Sequence, residues 1–181
     1  LETVIGREGT EPGELMLPVD VAVDADGNLF VSDTSGVQKL SPDGQFLTRI
    51  GGDKLLTANG GLALSGDGRL YVTGFGPEVW MFDAGDGALL GTLGEAGDGA
   101  GQLAQPVDVA VDAQGNVFVA DAGGGKVEVY GADDRHVRTI GSRGASSGQF
   151  TTPRSVAVEG DGHVLVGVGD DYIVQRFAAD G

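Results

Sequence analysis

One stretch of this chain occurs twice, nearly unchanged. Pro18–Asp33 reads PVDVAVDADGNLFVSD, and Pro106–Asp121 reads PVDVAVDAQGNVFVAD. Weaker copies lie at Asn59–Gly74 (NGGLALSGDGRLYVTG) and Pro153–Val168 (PRSVAVEGDGHVLVGV). Each copy is an apolar run, a turn built of Asp, Gly or Asn, and a second apolar run, which is the sequence form of a β-hairpin. A hairpin written four times constrains the chain to an array of equal units.

Glycine sets the phase of the array. Gly6, Gly51, Gly94 and Gly141 each follow an apolar run, at separations of 45, 43 and 47 residues. After three of them the same spacing follows. Gly9, Gly13, Leu15 and Pro18 correspond to Gly97, Gly101, Leu103 and Pro106, and to Gly144, Gly148, Phe150 and Pro153. Glycines at fixed offsets predict a loop of fixed backbone shape, with positive φ or close approach at each. The second segment, GGDKLLTANGG, has no proline and predicts a different loop. The 34 glycines far exceed the roughly 7% of an average protein, and their periodicity marks them as turns rather than disorder.

Each unit then holds four short strands. The inner runs are Val21–Val23, Leu62–Leu64, Val109–Val111 and Val156–Val158, and the second runs are Leu29–Val31, Leu70–Val72, Val117–Val119 and Val164–Val166. These are apolar at successive positions, as in strands covered on both faces. Third runs end at Leu40, Phe82, Tyr130 and Phe177, and outer runs cover Phe46–Ile50, Ala88–Leu93 and His136–Ile140. Four strands per repeat without helical periodicity predict an all-β fold, a β-propeller of four blades of four antiparallel strands each. The blades span 7–50, 51–93, 94–140 and 141–181 plus 1–6, within one domain. The opening LETVIG matches FLTRIG (Phe46–Gly51), so Leu1–Ile5 is expected to close the ring as the outer strand beside Val174–Phe177. Ala22, Ala63, Ala110 and Ala157 supply a small residue at the centre of each inner strand, which favours a closed four-bladed monomer over a homodimeric ring. Phe30, Tyr71, Trp80 and Phe118 read as packing between blades.

With these residues in hand, the chain resembles the NHL-repeat family of β-propellers. P18VDVAVDADGNLFVSD33, V37QKLSPDGQFLTRIG51 and P106VDVAVDAQGNVFVAD121 carry most of the family pattern, while LYVTG (Leu70–Gly74) resembles the YVTN-type propeller repeats more weakly. The Asn-His-Arg tripeptide that names the family is absent: the corresponding loops read TSG, FGPE, GGGK and GDDY. The family usually has five or six blades. Some members are lyases or hydrolases with a central metal, so the resemblance makes a metal-dependent or sugar-binding propeller the alternative function.

The net charge of −16, from 11 basic and 27 acidic side chains, argues against nucleic acid and anionic membrane surfaces as partners. No run of 18 apolar residues offers a membrane-spanning helix. In a blade, the connection into the inner strand and the loop between the second and third strands share one rim. Asp20, Asp33, Asp108 and Asp121 should therefore approach one face, with Arg154 and Ser155 at the equivalent position in the last blade. Such a mouth has the oxygen donors a Ca²⁺ ion prefers. The plainer use of Asp33 and Asp121 is to cap their own loops. Asp24-x-Asp26-Gly27-Asn28 begins like a calcium-binding loop, but its hairpin context makes it a turn. His136, on an outer strand, and His163, after a turn on the opposite rim, are expected to be exposed bystanders without acid–base partners. The sequence thus favours a non-catalytic recognition or assembly module. It would bind a protein through its loop-bearing face, need no resident cofactor, and work in an extracellular or periplasmic setting.

Overall fold

The computed structural model describes residues 4–52, 60–74 and 76–179, and the protein is a β-propeller of four blades whose named elements are all β-strands among the described residues. The first blade runs from its inner strand β1 (Asp20–Val23) through β2 (Leu29–Asp33) and β3 (Gly36–Leu40) to the outer β4 (Phe46–Ile50). The second has β5 (Leu62–Leu64), β6 (Arg69–Val72), β7 (Val79–Asp83) and β8 (Leu89–Leu93). A short parallel pair, β9 (Glu95–Ala96) and β10 (Gln102–Leu103), shapes the loop that leads into the third blade. That blade comprises β11 (Pro106–Val111), β12 (Val117–Asp121), β13 (Lys126–Tyr130) and β14 (His136–Ile140). The fourth contributes β15 (Pro153–Val158), β16 (Val164–Val168) and β17 (Ile173–Phe177). Every pairing within a blade is antiparallel.

The turn and loop chemistry follows the residues. Asp24 Oδ1 accepts from the Asp26 and Asn28 amides, and Gly27 N donates back to Asp24 O at a φ of +83°, so this acidic motif is a hairpin turn. The three matching glycine-rich loops have one shape. Gly6, Gly94 and Gly141 sit at φ of +80°, +80° and +70°, and a Cβ on any of them would strike Leu15, Leu103 or Phe150. In two of them the residue after the glycine accepts from the equivalent partner: Leu15 N donates to Arg7 O, and Phe150 N to Ser142 O. The dissimilar second loop, Gly51–Gly61, falls mostly on 53–59, outside the described residues.

Packing between blades forms three cores. Phe30, Val37 and Ile50 of the first blade meet Leu62, Leu70, Val72 and Phe82 of the second. Tyr71 and Val79 then meet Val109, Val117 and Val119. Phe118, Ala120 and Val127 meet Val156, Val164 and Val166. Successive residues of a strand thus face opposite neighbours, which explains the unbroken apolar runs. Phe30, Tyr71 and Phe118, equivalent in register, each serve one of the three cores, and Trp80 packs half-buried against the first.

Among the described residues no fourth core joins the last blade to the first. Val21 is 56% exposed, whereas its counterpart Val109 is 3% exposed. Val174 is 68% exposed, whereas Val127 is fully buried. The expected closing strand Leu1–Ile5 lies largely outside the described residues. Val4 and Ile5 carry no strand pairing there, and the Ile5 side chain lies where a Cβ on Gly44 of the first blade would touch it.

Candidate functional site

The loop-bearing rim is where the sequence sends its acidic residues, and the fold gives them two different tasks. Asp33 and Asp121 end the second strands and are buried. Asp33 Oδ2 accepts from Met16 N at 3.0 Å, and its Oδ1 accepts from Ser35 N at 2.7 Å and from the Ser35 hydroxyl at 2.6 Å. Asp121 accepts from Gln105 N at 2.7 Å and Ala104 N at 3.1 Å. Each carboxylate fastens the incoming loop to the end of its own second strand, the capping use open to Asp in such loops.

Asp20 and Asp108 act across blades. Asp20 Oδ1 accepts from Val21 N at 2.8 Å, and its Oδ2 accepts from Leu62 N of the second blade at 2.7 Å. Asp108 repeats the arrangement with Val109 N at 2.9 Å and Val156 N of the fourth blade at 2.8 Å. Each bridges the inner strand of its blade to that of the next. The second blade has Gly61 at this position because Asp108 occupies the space, and a Cβ there would meet Asp108 Oδ1 at 2.1 Å. That joint is instead made by Gly61 N and the Thr73 hydroxyl, both donating to Val107 O. Burial pushes the Asp108 carboxyl up to about 6, and the negative charge of Asp20 adds to the effect. The two bridging aspartates therefore share one mouth, while Asp33 and Asp121 stand apart in their loops.

Arg154 and Ser155, at the same position in the last blade, are exposed, as is Tyr172 on the neighbouring β16–β17 loop at 94%. The loop is tied to the incoming segment by Gly169 N donating to Thr152 O and by Thr151 and Thr152 hydroxyls donating to Asp171 and Asp170. Tyr172 takes a φ of +54°, a backbone geometry that costs a non-glycine residue energy.

The third blade hides a charged network that the sequence reading missed. In the first and fourth blades, Gln38 and Gln175 clamp the glycine-rich loop. Gln38 accepts from Gly13 N and donates to Glu14 O; Gln175 accepts from Gly148 N and donates to Gln149 O. The third blade has Glu128 instead, fully buried. Its carboxylate lies 2.6 Å from Lys126 Nζ and 2.7 Å from His136 Nε2, and accepts from the Thr139 hydroxyl at 2.7 Å. Lys126 takes over the clamp by donating to Asp98 O and Gly99 O. His136 is thus a half-buried partner of a carboxylate, not the bystander expected. A glutamate among glutamines, with a lysine two residues before it, was the available signal. His163 also has a partner: its Nδ1 lies 2.9 Å from Asp161 Oδ1. Glu159, Asp161 and His163 bring ligand-type atoms within 4.8 Å of one another, the sole such group among the described residues. Arg176 already pairs with Glu159 there, at 2.7 Å.

The NHL repeat matches residues 103–130, the heart of the third blade. The chain is a β-propeller that carries an NHL repeat. The propeller is similar to a gluconolactonase from Xanthomonas campestris, with a TM-score of 0.69 and 24% identity, over 92% of this chain and 58% of that one. It is also similar to the hydrazine synthase of Kuenenia stuttgartiensis (TM-score 0.66, 18% identity, 92% of this chain, 44% of that one). The WD40 β-propeller domain of Doa1 matches at a TM-score of 0.65 and 15% identity, over 89% of this chain and 50% of that one. The chain thus spans about half the length of the solved structures it resembles. No curated protein matches the sequence. No helix among the described residues is long and apolar enough to cross a membrane.

Proposed function

We infer that this propeller is a non-catalytic recognition or assembly module that binds a protein through its loop-bearing face. The observation that carries the reading is the use made of the four rim carboxylates. All accept backbone amides, two as loop caps and two as bridges between blades. The rim is thereby a stiff platform that presents Arg154 and Tyr172, residue types that dominate binding energy at protein interfaces. An extracellular or periplasmic setting belongs to the same reading.

Calorimetry with Ca²⁺ against the wild type and an Asp20→Asn/Asp108→Asn variant tests it. A recognition module gives no heat that depends on these aspartates, while Arg154→Ala/Tyr172→Ala lowers partner capture at unchanged melting temperature. Saturable Ca²⁺ binding lost in the Asn variant overturns it. One observation favours the second reading, a metal-dependent or sugar-binding propeller. Two carboxylates share the mouth, and the Asp108 carboxyl is raised in part by Asp20, a strain that a cation there would relieve. Among the similar folds is a gluconolactonase, which makes sugar lactones the first substrates to try.

A further inference from the structure

Phe30, Tyr71, Phe118 and Leu165 stand opposite the central alanine of their inner strands, and among them only Tyr71 carries a polar group. Phenylalanine packs between blades at this position twice, so the core does not need the hydroxyl. Tyr71 is 1% exposed, and burial raises its phenol above the ordinary range, so the hydroxyl keeps its proton. A buried O–H without an acceptor is costly. Tyr130, the other buried tyrosine, donates to Gly101 O at 2.9 Å. Tyr71 has no such acceptor among the described residues. The group beside it is the Arg69 guanidinium, which can itself only donate. A cavity of about 270 Å³ lies here, between the turn-bearing ends of the second and third blades, and Asp67 and Gln114 line it together with Tyr71. Small residues, Gly66, Ala113 and Ala132, keep it open, and a Cβ on Gly66 would meet nothing within 4 Å. In the corresponding cleft of the first and second blades, Lys39 Nζ lies 5.0 Å from the Phe30 ring centroid and donates to Ala84 O. Met81 stands at the register position of Lys39 in the second blade, so no such cation serves the cleft at Tyr71.

We propose that this cleft binds one neutral sugar ring or cyclic polyol, with Tyr71 donating to a ligand hydroxyl and Asp67 accepting from one. The side chains present select that class. Tyr71 offers a proton and Asp67 offers lone pairs, and an alcohol hydroxyl can answer both because it accepts and donates. The Gln114 amide group makes no hydrogen bond among the described residues and can likewise do either. Arg69 is already matched by Asp67 at 3.2 Å and by Asp134 at 3.1 Å, so an anionic ligand would meet two carboxylates and no unpaired cation. An ammonium ligand has no lone pair to take the Tyr71 proton. The volume lies just under the roughly 300–1,000 Å³ of small-molecule sites, which suits a single ring rather than a chain of them. This site is on the rim opposite the loop-bearing face and does not rest on the reading of that face.

Saturation-transfer NMR and calorimetry with glucose, galactose, mannose and myo-inositol test the assignment, with gluconate and glucosamine as charged counterparts. At least one neutral ligand is expected to bind saturably, and more tightly than either charged one. Tyr71→Phe should weaken that binding about three- to tenfold. Its melting temperature should stay level or rise, because phenylalanine already fills this position in the first and third blades. Ala113→Leu, on the exposed turn, should fill the cleft and abolish binding with the fold intact. The absence of saturable binding by all four neutral ligands overturns the proposal. So does tighter binding of gluconate or glucosamine, or binding that survives both variants. A lower melting temperature for Tyr71→Phe overturns it as well, since the hydroxyl would then serve Arg69 and the fold rather than a ligand.

Discussion

The hairpins of the first and third blades are nearly the same sequence with different surroundings. In both, DVAV lies in the inner strand, the aspartate bridges to the next blade, and the turn is held by an aspartate accepting backbone amides. Yet Val109 is buried while Val21 is more than half exposed. The motif builds the hairpin, its turn and its polar joints from local chemistry. Burial of its apolar side chains depends on a neighbouring blade, which the third blade has on both sides. Among the described residues the first blade has one on one side only. A blade is therefore a unit of shape but not a unit of stability, as nearest-neighbour repeat architectures require.

The sharpest way to break this comparison is to truncate equivalent large residues inside the arc and at its end. Phe118 fills the core between the third and fourth blades, and Leu165 holds the same register position on the open face of the fourth. Phe118→Ala should cost about 3–5 kcal/mol, and Leu165→Ala less than about 1 kcal/mol in dilute solution. Urea unfolding measures both. Equal losses under dilute conditions would mean that the end face is covered after all, and a loss at Leu165 that grows with protein concentration would point to a partner copy.

Next in size is the effect of pH at the third blade's bridge. The folded protein raises the Asp108 carboxyl from 3.8 to about 6, so it holds its proton more tightly than the unfolded chain does. The native state therefore binds more protons between those values, and stability falls as pH rises through that window. By linkage this amounts to at most ~3 kcal/mol. Asp108→Asn cannot ionise, and its stability should stay flat from pH 4 to 7 where the wild type declines relative to it. Parallel curves for the two proteins would remove the burial argument.

The smallest effect separates the loop clamps. Gln38→Ala removes two hydrogen bonds to the first blade's glycine-rich loop and should cost about 1–2 kcal/mol, with faster hydrogen exchange at Gly13. Unchanged exchange at that amide would show that the loop keeps its shape through its glycines alone.

Much of the molecule was legible in the sequence because its information is local. Gly6, Gly94 and Gly141 declared left-handed backbone, Asp24 and Asp112 declared turns, and successive apolar residues declared strands covered on both sides. The rim location of Asp20 and Asp108 was legible too, since blade topology fixes it. Their pairing with amides of the next blade was not, because Leu62 and Val156 lie 42 and 48 residues away in the chain and nothing local specifies that contact. The buried Glu128–Lys126–His136 network was hidden for the same reason. An outer-strand histidine reads as exposed until the strand beside it places a carboxylate underneath.

By itself, then, the sequence determined the repeat, the four blades, the turn types and the loop shapes, all of which depend on φ/ψ preferences and on hydrogen bonds within a few residues. Only the tertiary structure decided which aspartates cap and which bridge, that His136 meets a buried carboxylate, and which of the equivalent Val21 and Val109 is covered. Those outcomes depend on what stands across the interface, and the DVAV shared by Asp20–Val23 and Asp108–Val111 forms an inner strand whether or not another blade covers its valines.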